Sequence, residues 1–393
     1  MIDHFGSIER LTKKPTYFQV ILMNRRKWIS LTSGSLVAAG VVGYGFSDRK
    51  NLVRSDLSDS FQDSTALLPV ERNILALAAL APSGHNTQPW FVKRMEPWHW
   101  IIGNDAARWL PAVDPTQRET ILSIGAFVQN LEYAASAYGY LCHWELLAGT
   151  AQDEQIMGVK LVSEATTVAF DISKVSDRRT VRSGYLGTPL RKEDLDILVE
   201  KESEFIHFLP TSSKESQTIN QLTIEANQLQ SWRDPAQREL AEWIRFSSRE
   251  AAQYRDGLTT AGMEVSGLQG WVLRNSYGEK QVLGKSFREQ SIDKVRQQVA
   301  ESAGWFLISS KDDSVVSLLE TGRRMQRLFL KVRERNIALH PMSQILEETT
   351  SRQAFTRSIG IGQPVQFILW TGYLKNYPAP VSLRRPVEWF LRT

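Results

Sequence analysis

Two helical segments of this chain share residues at one constant spacing, and this repeat constrains the fold more than any other feature. The matching pairs lie 197 positions apart and are Gly125 and Gly322, Gln129 and Gln326, Leu131 and Leu328, Gly139 and Asn336, and His143 and His340. Two amphipathic helices can be similar by chance, but a register kept without a gap favours a duplicated unit. Glycine on a buried helix face permits close packing, so its repetition predicts two copies of one helix interface. Gly139 and Asn336 tolerate a left-handed turn, so both helices are predicted to end in the same way.

The order of hydrophobic patterns predicts an α+β fold, with mostly antiparallel sheets flanked by helices. Helical spacing covers 71–80, 121–138, 190–200 and 315–335, and short apolar runs at 98–102, 141–147, 158–168, 305–309, 337–340 and 365–372 predict strands. Residues 213–256 are predicted to be a long helical stretch and 257–290 a glycine-bearing loop. We therefore expect a first half at 68–176 and a second half at 177–393, with an insertion or lid at about 213–290.

The composition narrows the class of protein. Hydrophobic residues make up 42% of the 393 residues, which is typical of a soluble globular protein. Residues 1–50 hold eight Lys or Arg and three Asp or Glu, and the whole chain is +4, which leaves −1 for residues 51–393. This nearly neutral body gives no electrostatic footprint for nucleic acid. The single cysteine, Cys142, cannot form an internal disulfide, and the scattered histidines predict no zinc site.

The first 50 residues have the character of a leader. Arg25 and Arg26 precede an uncharged stretch from Trp28 to Ser47, which is rich in Gly, Ser and Thr and weakly hydrophobic for a membrane span. The arginine pair followed by an aromatic and an aliphatic residue resembles a twin-arginine signal, which a receptor reads as an address. Trp28 and Ile29 stand where Phe and Leu are usual, and Met23 is a candidate start.

The leader predicts a location outside the cytoplasm, reached through the twin-arginine (Tat) export machinery. No small-x-small cleavage site follows the apolar run, so an uncleaved membrane tether remains an alternative. Residues 51–67, with prominent Ser and Asp, are predicted to link the leader to the folded body.

A turn rich in small and polar residues directly follows the first predicted helix. Its chemically useful members are Pro82, Ser83, His85, Asn86 and Gln88. Small residues let a backbone approach a flat ligand closely, and amide side chains offer both donors and acceptors to the uracil-like edge of a flavin. From these features alone, a capped helix end with Trp90 in the core is the simpler interpretation.

The complete string from Pro82 to Trp90 closely resembles the Pro-Ser-x-x-Asn-x-Gln-Pro-Trp signature of the nitroreductase superfamily, at every defining position. A second string, Arg178-Arg179-Thr180-Val181-Arg182, resembles the Arg-x-Ser-x-Arg/Lys motif of the same family, with Thr180 in place of Ser. Alone, this second string would be a surface charge run. The resemblance implies bound flavin mononucleotide (FMN), with Arg178 on the phosphate and Arg182 near the N1/O2 edge of the ring.

Two weaker strings extend this resemblance to about residues 68–390. The segment Pro341, Met342 and Ser343, which follows His340, corresponds to the turn that family members lay against the reactive N5 of the flavin. Arg384 and Arg385 stand where the family often has a second basic residue for the phosphate. The best match is the exported, duplicated, Acg-like branch, in which two fused halves mimic the usual homodimer and some members cover their flavin with a lid.

The resemblance implies an FMN-dependent oxidoreductase that passes hydride from NAD(P)H to a small molecule such as a nitroaromatic or a quinone. Flavin N5 carries this chemistry, so no protein group is assigned as catalytic. An alternative is a protein that stores or sequesters FMN with little turnover. A third reading, an adaptor that binds no nucleotide, leaves both motifs as coincidence. A serine hydrolase is disfavoured because the sequence has no Gly-x-Ser-x-Gly elbow.

The division of the motifs predicts one FMN per chain. The first half carries the Pro82–Asn86 turn, and the second half carries Arg178, Arg182 and the C-terminal arginines. Where the second half should repeat the turn, it has Lys201–His207 instead. The two sets are complementary, so a monomer is expected to complete the flavin site.

We predict that the chain is exported in a folded, cofactor-loaded state, because the arginine pair is combined with a cofactor that is available in the cytoplasm. The Arg25→Lys/Arg26→Lys variant keeps the charge but alters the feature that the receptor reads. Its extracytoplasmic yield, measured by cell fractionation, should fall strongly. A yield equal to that of the unmodified chain would contradict the twin-arginine interpretation.

Overall fold

A computed structural model describes residues 48, 50–57, 67–164 and 168–392 of the chain. All elements described below belong to the compact unit 48–393. The predicted arginine signal and apolar stretch of the leader lie outside the described residues, as does most of the predicted linker. Residues 50–57 are described and contain a short 3-10 turn, Arg54–Asp56.

The described residues form α-helices and short strands in alternation. The helices are α1 (Pro69–Ala78), α2 (Arg118–Ala137), α3 (Ser173–Asp177), α4 (Lys192–Val199), α5 (Lys214–Trp232), α6 (Asp234–Trp243), α7 (Ser248–Tyr254), α8 (Gly267–Ser276), α9 (Glu279–Leu283), α10 (Lys285–Ala300), α11 (Val315–Val332), α12 (Gln344–Glu347) and α13 (Thr349–Ile359). The strands are β1 (Trp90–Glu96), β2 (His99–Asn104), β3 (Tyr140–Leu146), β4 (Gln155–Ser163), β5 (Tyr185–Leu186), β6 (Ile206–Pro210), β7 (Gly304–Ser309), β8 (Ile337–Pro341), β9 (Val365–Leu374) and β10 (Leu391–Arg392).

The strands form two five-stranded sheets, and four antiparallel strands of each sheet have the same order. The first sheet has the order β10-β1-β2-β4-β3, and the second has β5-β9-β7-β6 with β8 also paired to β9. Within them, β1-β2-β4-β3 and β6-β7-β9-β8 are the same antiparallel arrangement, met twice along the chain. The prediction of an α+β fold with mostly antiparallel sheets and flanking helices is confirmed.

Helices α2 and α11 pack against each other between the sheets, and glycines allow their backbones to touch. A Cβ atom on Gly125 would lie 2.1 Å from the carbonyl oxygen of Leu319, and one on Gly322 would lie 2.0 Å from that of Leu122. Leu122 and Leu319 are themselves 197 positions apart, so the two close contacts are reciprocal. The structure thus contains the repeated interface that the spacing of the glycines predicts.

The polar contacts beside these glycines follow the same reciprocity. Gln326 donates to the side-chain oxygen of Asn130 at 2.7 Å, and Gln129 accepts from Arg327 at 2.9 Å. Each glutamine therefore contacts the residue that follows the other glutamine. At the ends of the two segments, Gly139 and Asn336 have φ of 79° and 52°, the left-handed turns expected from the sequence.

A large insertion distinguishes the second half from the first. In the first half, only Pro97 and Trp98 separate β1 from β2, whereas residues 211–303 separate β6 from β7. These residues form α5 to α10. The expectation of a loop at 257–290 is therefore wrong for 267–290, most of which is helical, whereas 257–266 lie between α7 and α8. Three of the six glycines that suggested a loop lie at helix starts, since Gly267 begins α8 and Gly278 and Gly284 precede α9 and α10.

The insertion covers the outer face of the second sheet. Strand β7 is buried on both faces: Trp305 and Leu307 pack with residues of α5 and α10, and Phe306 and Ile308 pack with α2 and α11. This alternation follows from the two-residue period of a strand. No such cover lies on the first sheet among the residues that the structure describes, and Leu141 and Trp144 on its edge strand β3 are exposed.

The C-terminal segment crosses from the second sheet to the first. After β9, the chain runs back and ends in β10, which pairs in parallel with β1 through Val92 and Leu391. Phe390 joins the core there. This path carries Arg384 and Arg385 past the end of α1. Among the described residues, no helix has the length and hydropathy that a membrane span requires.

We predict that Gly125→Ala and Gly322→Ala each destabilise the fold, because the added methyl group overlaps a backbone carbonyl that cannot rotate away. Overpacking of this kind costs about 1–3 kcal/mol in the free energy of unfolding, which urea denaturation measures. Gly187→Ala is the matched control, since a Cβ at Gly187 meets nothing within 4 Å. A wild-type unfolding midpoint in either helix variant would contradict the close backbone approach.

Candidate functional site

The turn after α1 has a strained backbone. His85, Asn86 and Gln88 have φ of 46°, 56° and 54°, in the left-handed region that residues other than glycine rarely adopt. The hydroxyl of Ser83 accepts a hydrogen bond from the backbone amide of Gln88 at 2.9 Å and closes the turn. Such a conformation persists only where the surroundings fix it, and it is common at functional sites.

The C-terminal segment fixes this turn. Arg384 donates to the side-chain oxygen of Asn86 at 2.8 Å, and the Asn86 amide donates to the carbonyl of Leu383 at 3.3 Å. The backbone amide of Arg385 donates to the side-chain oxygen of Gln88 at 2.9 Å. The Arg385 guanidinium also donates to the backbone carbonyl of Gln88. In this structure Asn86, Gln88 and Arg385 brace the turn, and a direct contact of these residues with a flavin stays a prediction.

The structure brings the second-half arginines to the end of α1. Arg178 is 6% exposed and its guanidinium donates to the carbonyl of Leu80 at 3.4 Å. Arg384 donates to the carbonyls of Leu80 and Ala81 at 3.2 and 3.0 Å. These carbonyls belong to the turn that directly follows α1. The turn after α1, Arg178 of the Arg motif and the C-terminal Arg384 therefore lie close together.

These cations are incompletely paired. Burial, and to a smaller extent the charge of Arg54, lowers the pKa of Arg178 to about 10. Burial also holds the pKa of Arg384 well below its usual value, and Arg178 and Arg54 add to the shift. In the part of the chain that the structure describes, Nε and one terminal nitrogen of Arg178 and Nε of Arg384 are buried without a hydrogen-bond partner. Buried guanidinium groups with unused donors suit an oxyanion such as phosphate.

A second cluster surrounds Arg182. Its guanidinium donates to the carbonyl of Gly262 at 3.0 Å and to Nε2 of His340, which leaves the proton of His340 on Nδ1. Burial and the charge of Arg182 lower the pKa of His85 to about 4. Burial, Arg182 and Lys294 hold the pKa of His340 well below its usual value. Both imidazoles are neutral near pH 7, so the positive charge of Arg182 has two neutral rings near it.

The segment after β8 lies beside this cluster. His340 is 6% exposed, whereas its repeat partner His143 is exposed, so the two halves differ at this position. Pro341 is half-buried, and Met342 is buried with its backbone amide bonded to the carbonyl of Ile368. The hydroxyl of Ser343 is buried and has no hydrogen-bond partner among the described residues.

Arg179 has a different environment from the other motif arginines. It forms an ion pair with Glu264 at 2.8 Å and donates to the carbonyl of Ala379 at 2.6 Å. The other carboxylate oxygen of Glu264 accepts from the hydroxyl of Ser183 at 2.6 Å. Arg179 thus ties the Arg motif to the insertion, and Thr180 beside it is half-buried.

Residues 255–264 of the insertion lie over the turn and the Arg motif. The carbonyl of Arg255 accepts from the Gln88 amide at 3.0 Å, and the carbonyl of Gly257 accepts from Asn86 at 3.1 Å. Asp256, between them, is 3% exposed and pairs with Arg108 and Arg245 at 2.8 and 2.6 Å. We call residues 255–264 the cover segment. These residues fall within the insertion or lid that the sequence predicts at about 213–290, but no motif singles them out.

Three acidic residues near the turn also escaped the sequence analysis. The carboxylate of Glu119 lies 3.4 Å from the position of a Cβ on Gly84. Burial and the charge of Glu119 raise the pKa of Asp114 to about 7, and the same causes raise the pKa of Glu347 well above its usual value. Glu347 accepts a hydrogen bond from Gln230 at 2.6 Å. These side chains come from distant parts of the sequence, so no local pattern announces the cluster.

Comparison with known proteins gives one relative in sequence. The probable NAD(P)H nitroreductase PigM of a Serratia species is 25% identical over 328 residues, which cover 75% of this chain and 86% of PigM. No protein-family model matches the chain.

Solved structures give distant matches. A nitroreductase-like protein from Bacillus cereus is 17% identical, with a TM-score of 0.30 over 58% of this chain and 98% of that protein. The FMN-dependent nitroreductase NfnB of Mycobacterium smegmatis, in complex with NADPH, is 12% identical, with a TM-score of 0.35 over 56% and 96%. The similarity to PigM extends over most of both sequences.

Proposed function

We propose that the chain binds one FMN between its two halves and acts as an NAD(P)H-dependent oxidoreductase on a small acceptor such as a nitroaromatic or a quinone. The observation that carries the cofactor assignment is the set of unused, buried guanidinium donors on Arg178 and Arg384. Burying such donors without a partner is costly, and a phosphate group would satisfy them. The relationship to a probable NAD(P)H nitroreductase supports the reaction class.

FMN, when bound, would supply hydride transfer through its N5 atom. The protein's part would be to hold and tune the cofactor. Arg178 and Arg384 would bind the phosphate. Arg182 would supply a positive charge near the ring, and the neutral side chains of His85 and His340 beside it would add none. A cation near N1 favours the anionic reduced flavin.

A single site per chain follows from how the halves contribute. The strained turn belongs to the first half, and the arginines belong to the second, so each half alone lacks a part of the site. The matching strand orders and the reciprocal glycine contacts support an origin by duplication, as in the Acg-like branch. The difference between buried His340 and exposed His143 supports the loss of a mirror-related site.

Sequestration of FMN is the second candidate, and the cover segment favours it. Residues 255–264 contact the turn through Asn86 and Gln88, and the Arg motif through Arg179 and Arg182. A flavin held under these contacts would be shielded from NAD(P)H. Export through the Tat machinery, with or without a membrane tether, completes the proposal and is supported by Arg25 and Arg26 alone.

We predict that the purified protein binds one FMN per chain and that Arg178→Ala weakens this binding roughly 10- to 100-fold, because a charge-assisted contact to phosphate contributes about 1.5–3 kcal/mol. Quenching of flavin fluorescence measures both the stoichiometry and the affinity. Asn86→Ala, from the opposite half, should weaken binding as well, since it loosens Arg384 and the turn.

The control is Arg357→Ala, which removes one positive charge from the exposed surface of α13. Two flavins per chain would contradict the single site. Full FMN affinity in Arg178→Ala would contradict the assignment of the phosphate, and a protein that cannot be loaded with FMN would overturn the function as a whole.

The cover segment generates a test between the two candidate functions. Glu264→Gln removes the ion pair with Arg179, in which both side chains are nearly buried, and should loosen the segment. We predict that anaerobic NAD(P)H bleaches the flavin of this variant faster than that of the wild type. The control is Glu289→Gln, whose carboxylate pairs with Lys285 on the exposed face of the same insertion.

Rapid bleaching of the wild-type flavin, with no change in Glu264→Gln, would show that the cover segment does not limit access and would favour the oxidoreductase. A wild-type protein that stays yellow, with a variant that bleaches, favours sequestration.

A further inference from the structure

Arg54 lies in the short turn that precedes the first half, and it reaches the cationic end of the candidate site. Its backbone amide donates to the carbonyl of Val381 at 3.2 Å, and its guanidinium donates to the carbonyl of Ser176. Ser176 stands two residues before Arg178, and Val381 stands three residues before Arg384. Arg54 is therefore held between the two segments of the chain that carry Arg178 and Arg384.

A pocket connects Arg54 with Arg384. It has a cavity volume of about 90 Å³, and its polar wall holds Arg54, Arg72, Arg255, Arg384 and Arg385. The apolar part of this wall comes from Leu57, from Ala76 and Leu80 at the end of α1, and from Leu383, Pro386 and Val387. The polar part is dominated by guanidinium groups, so the pocket suits a ligand with a negatively charged end.

Repulsion among the arginines makes an anion the fitting occupant. Arg54 and Arg178 disfavour each other's charge, and both disfavour the charge of Arg384. Burial lowers the pKa of Arg54, and among the described residues the charge of Asp177 opposes this shift. Like charges that are close together and partly buried are costly unless a counter-charge is present. A phosphate monoester, with up to two negative charges, is such a counter-charge.

The segment that carries Arg54 is also attached to the insertion. Asp48 accepts a hydrogen bond from the hydroxyl of Ser248 at 2.8 Å. Asn51 contacts Thr260 and accepts from Arg274 at 3.4 Å. Residues 48 and 50–57 thus run along the insertion, close to the cover segment, before they reach the pocket.

We propose that Arg54 is a third phosphate-binding residue, which makes the segment between the leader and the body part of the cofactor site. This inference rests on the proposed binding of FMN. It differs from the sequence-based expectation, in which residues 51–67 only link two parts of the chain. No motif marks Arg54, and only its position in the folded chain brings it to Arg178 and Arg384.

The test compares FMN with riboflavin, which has the same ring system and no phosphate. Dissociation constants of both ligands are measured by fluorescence quenching for the wild type, Arg54→Ala, Arg54→Gln, Arg54→Lys and Lys50→Ala. We expect Arg54→Ala and Arg54→Gln to weaken FMN roughly 10-fold, the scale of one charge-assisted hydrogen bond, and to leave riboflavin unchanged. Arg54→Lys should retain most of the FMN affinity.

Lys50→Ala is the matched control, because Lys50 lies in the same segment, pairs with Asp56 and does not line the pocket. Unchanged FMN affinity in Arg54→Ala and Arg54→Gln overturns the inference. An equal loss of FMN and riboflavin also overturns it, because the effect then lies in folding or in the ring site. If the wild type binds riboflavin and FMN equally well, the phosphate role fails while flavin binding stands. A wild type that binds neither ligand overturns both proposals.

Discussion

The close approach of α2 and α11 is the constraint on which the rest of the structure depends. A carbonyl oxygen of each helix occupies the space where a side chain of the other would begin, at Gly125 and Gly322. This contact sets the distance between the two sheets, because each helix also packs on its own sheet. It thereby sets where the end of α1, in the first half, meets the Arg motif of the second. A site built from both halves needs such a fixed distance, since hydrogen bonds lose strength within a few tenths of an ångström.

The turn after α1 illustrates how a strained conformation is maintained. Three residues with left-handed φ would not hold this shape in an isolated peptide. Here the C-terminal segment bonds to Asn86 and Gln88 from one side, and the cover segment bonds to them from the other. The strain at the turn is thus offset by contacts from sequence about 170 and 300 positions away. The turn, the C-terminal segment and the cover segment therefore hold one another in place.

The sequence was sufficient for features that depend on local pattern or on repetition. The helix ends at Gly139 and Asn336, the contact faces of α2 and α11 and the antiparallel sheets follow from spacing and residue type. The helices within 267–290 were not predicted, because glycines at helix boundaries produce the same local signal as glycines in a loop. Glu264 and Arg54 were also missed. Each is an ordinary charged residue in its own segment, and its partner is known only once the chain is folded.

The same contacts bury the site arginines and limit the access of small molecules to them. A change that improves access therefore weakens the electrostatic effect of burial. Because Arg178 and Arg384 are buried near Arg54, their low-dielectric surroundings would strengthen the attraction to a bound anion as much as they strengthen the repulsion among the arginines. The contacts that bury the Arg motif also include the cover segment, through Arg179 and Arg182. Opening that segment would admit a reductant and, at the same time, admit water that weakens the hold of the arginines. Under the proposed function, such a chain would trade turnover against retention of its ligand. The Arg179–Glu264 ion pair, which holds the cover segment on the Arg motif, would then influence that balance.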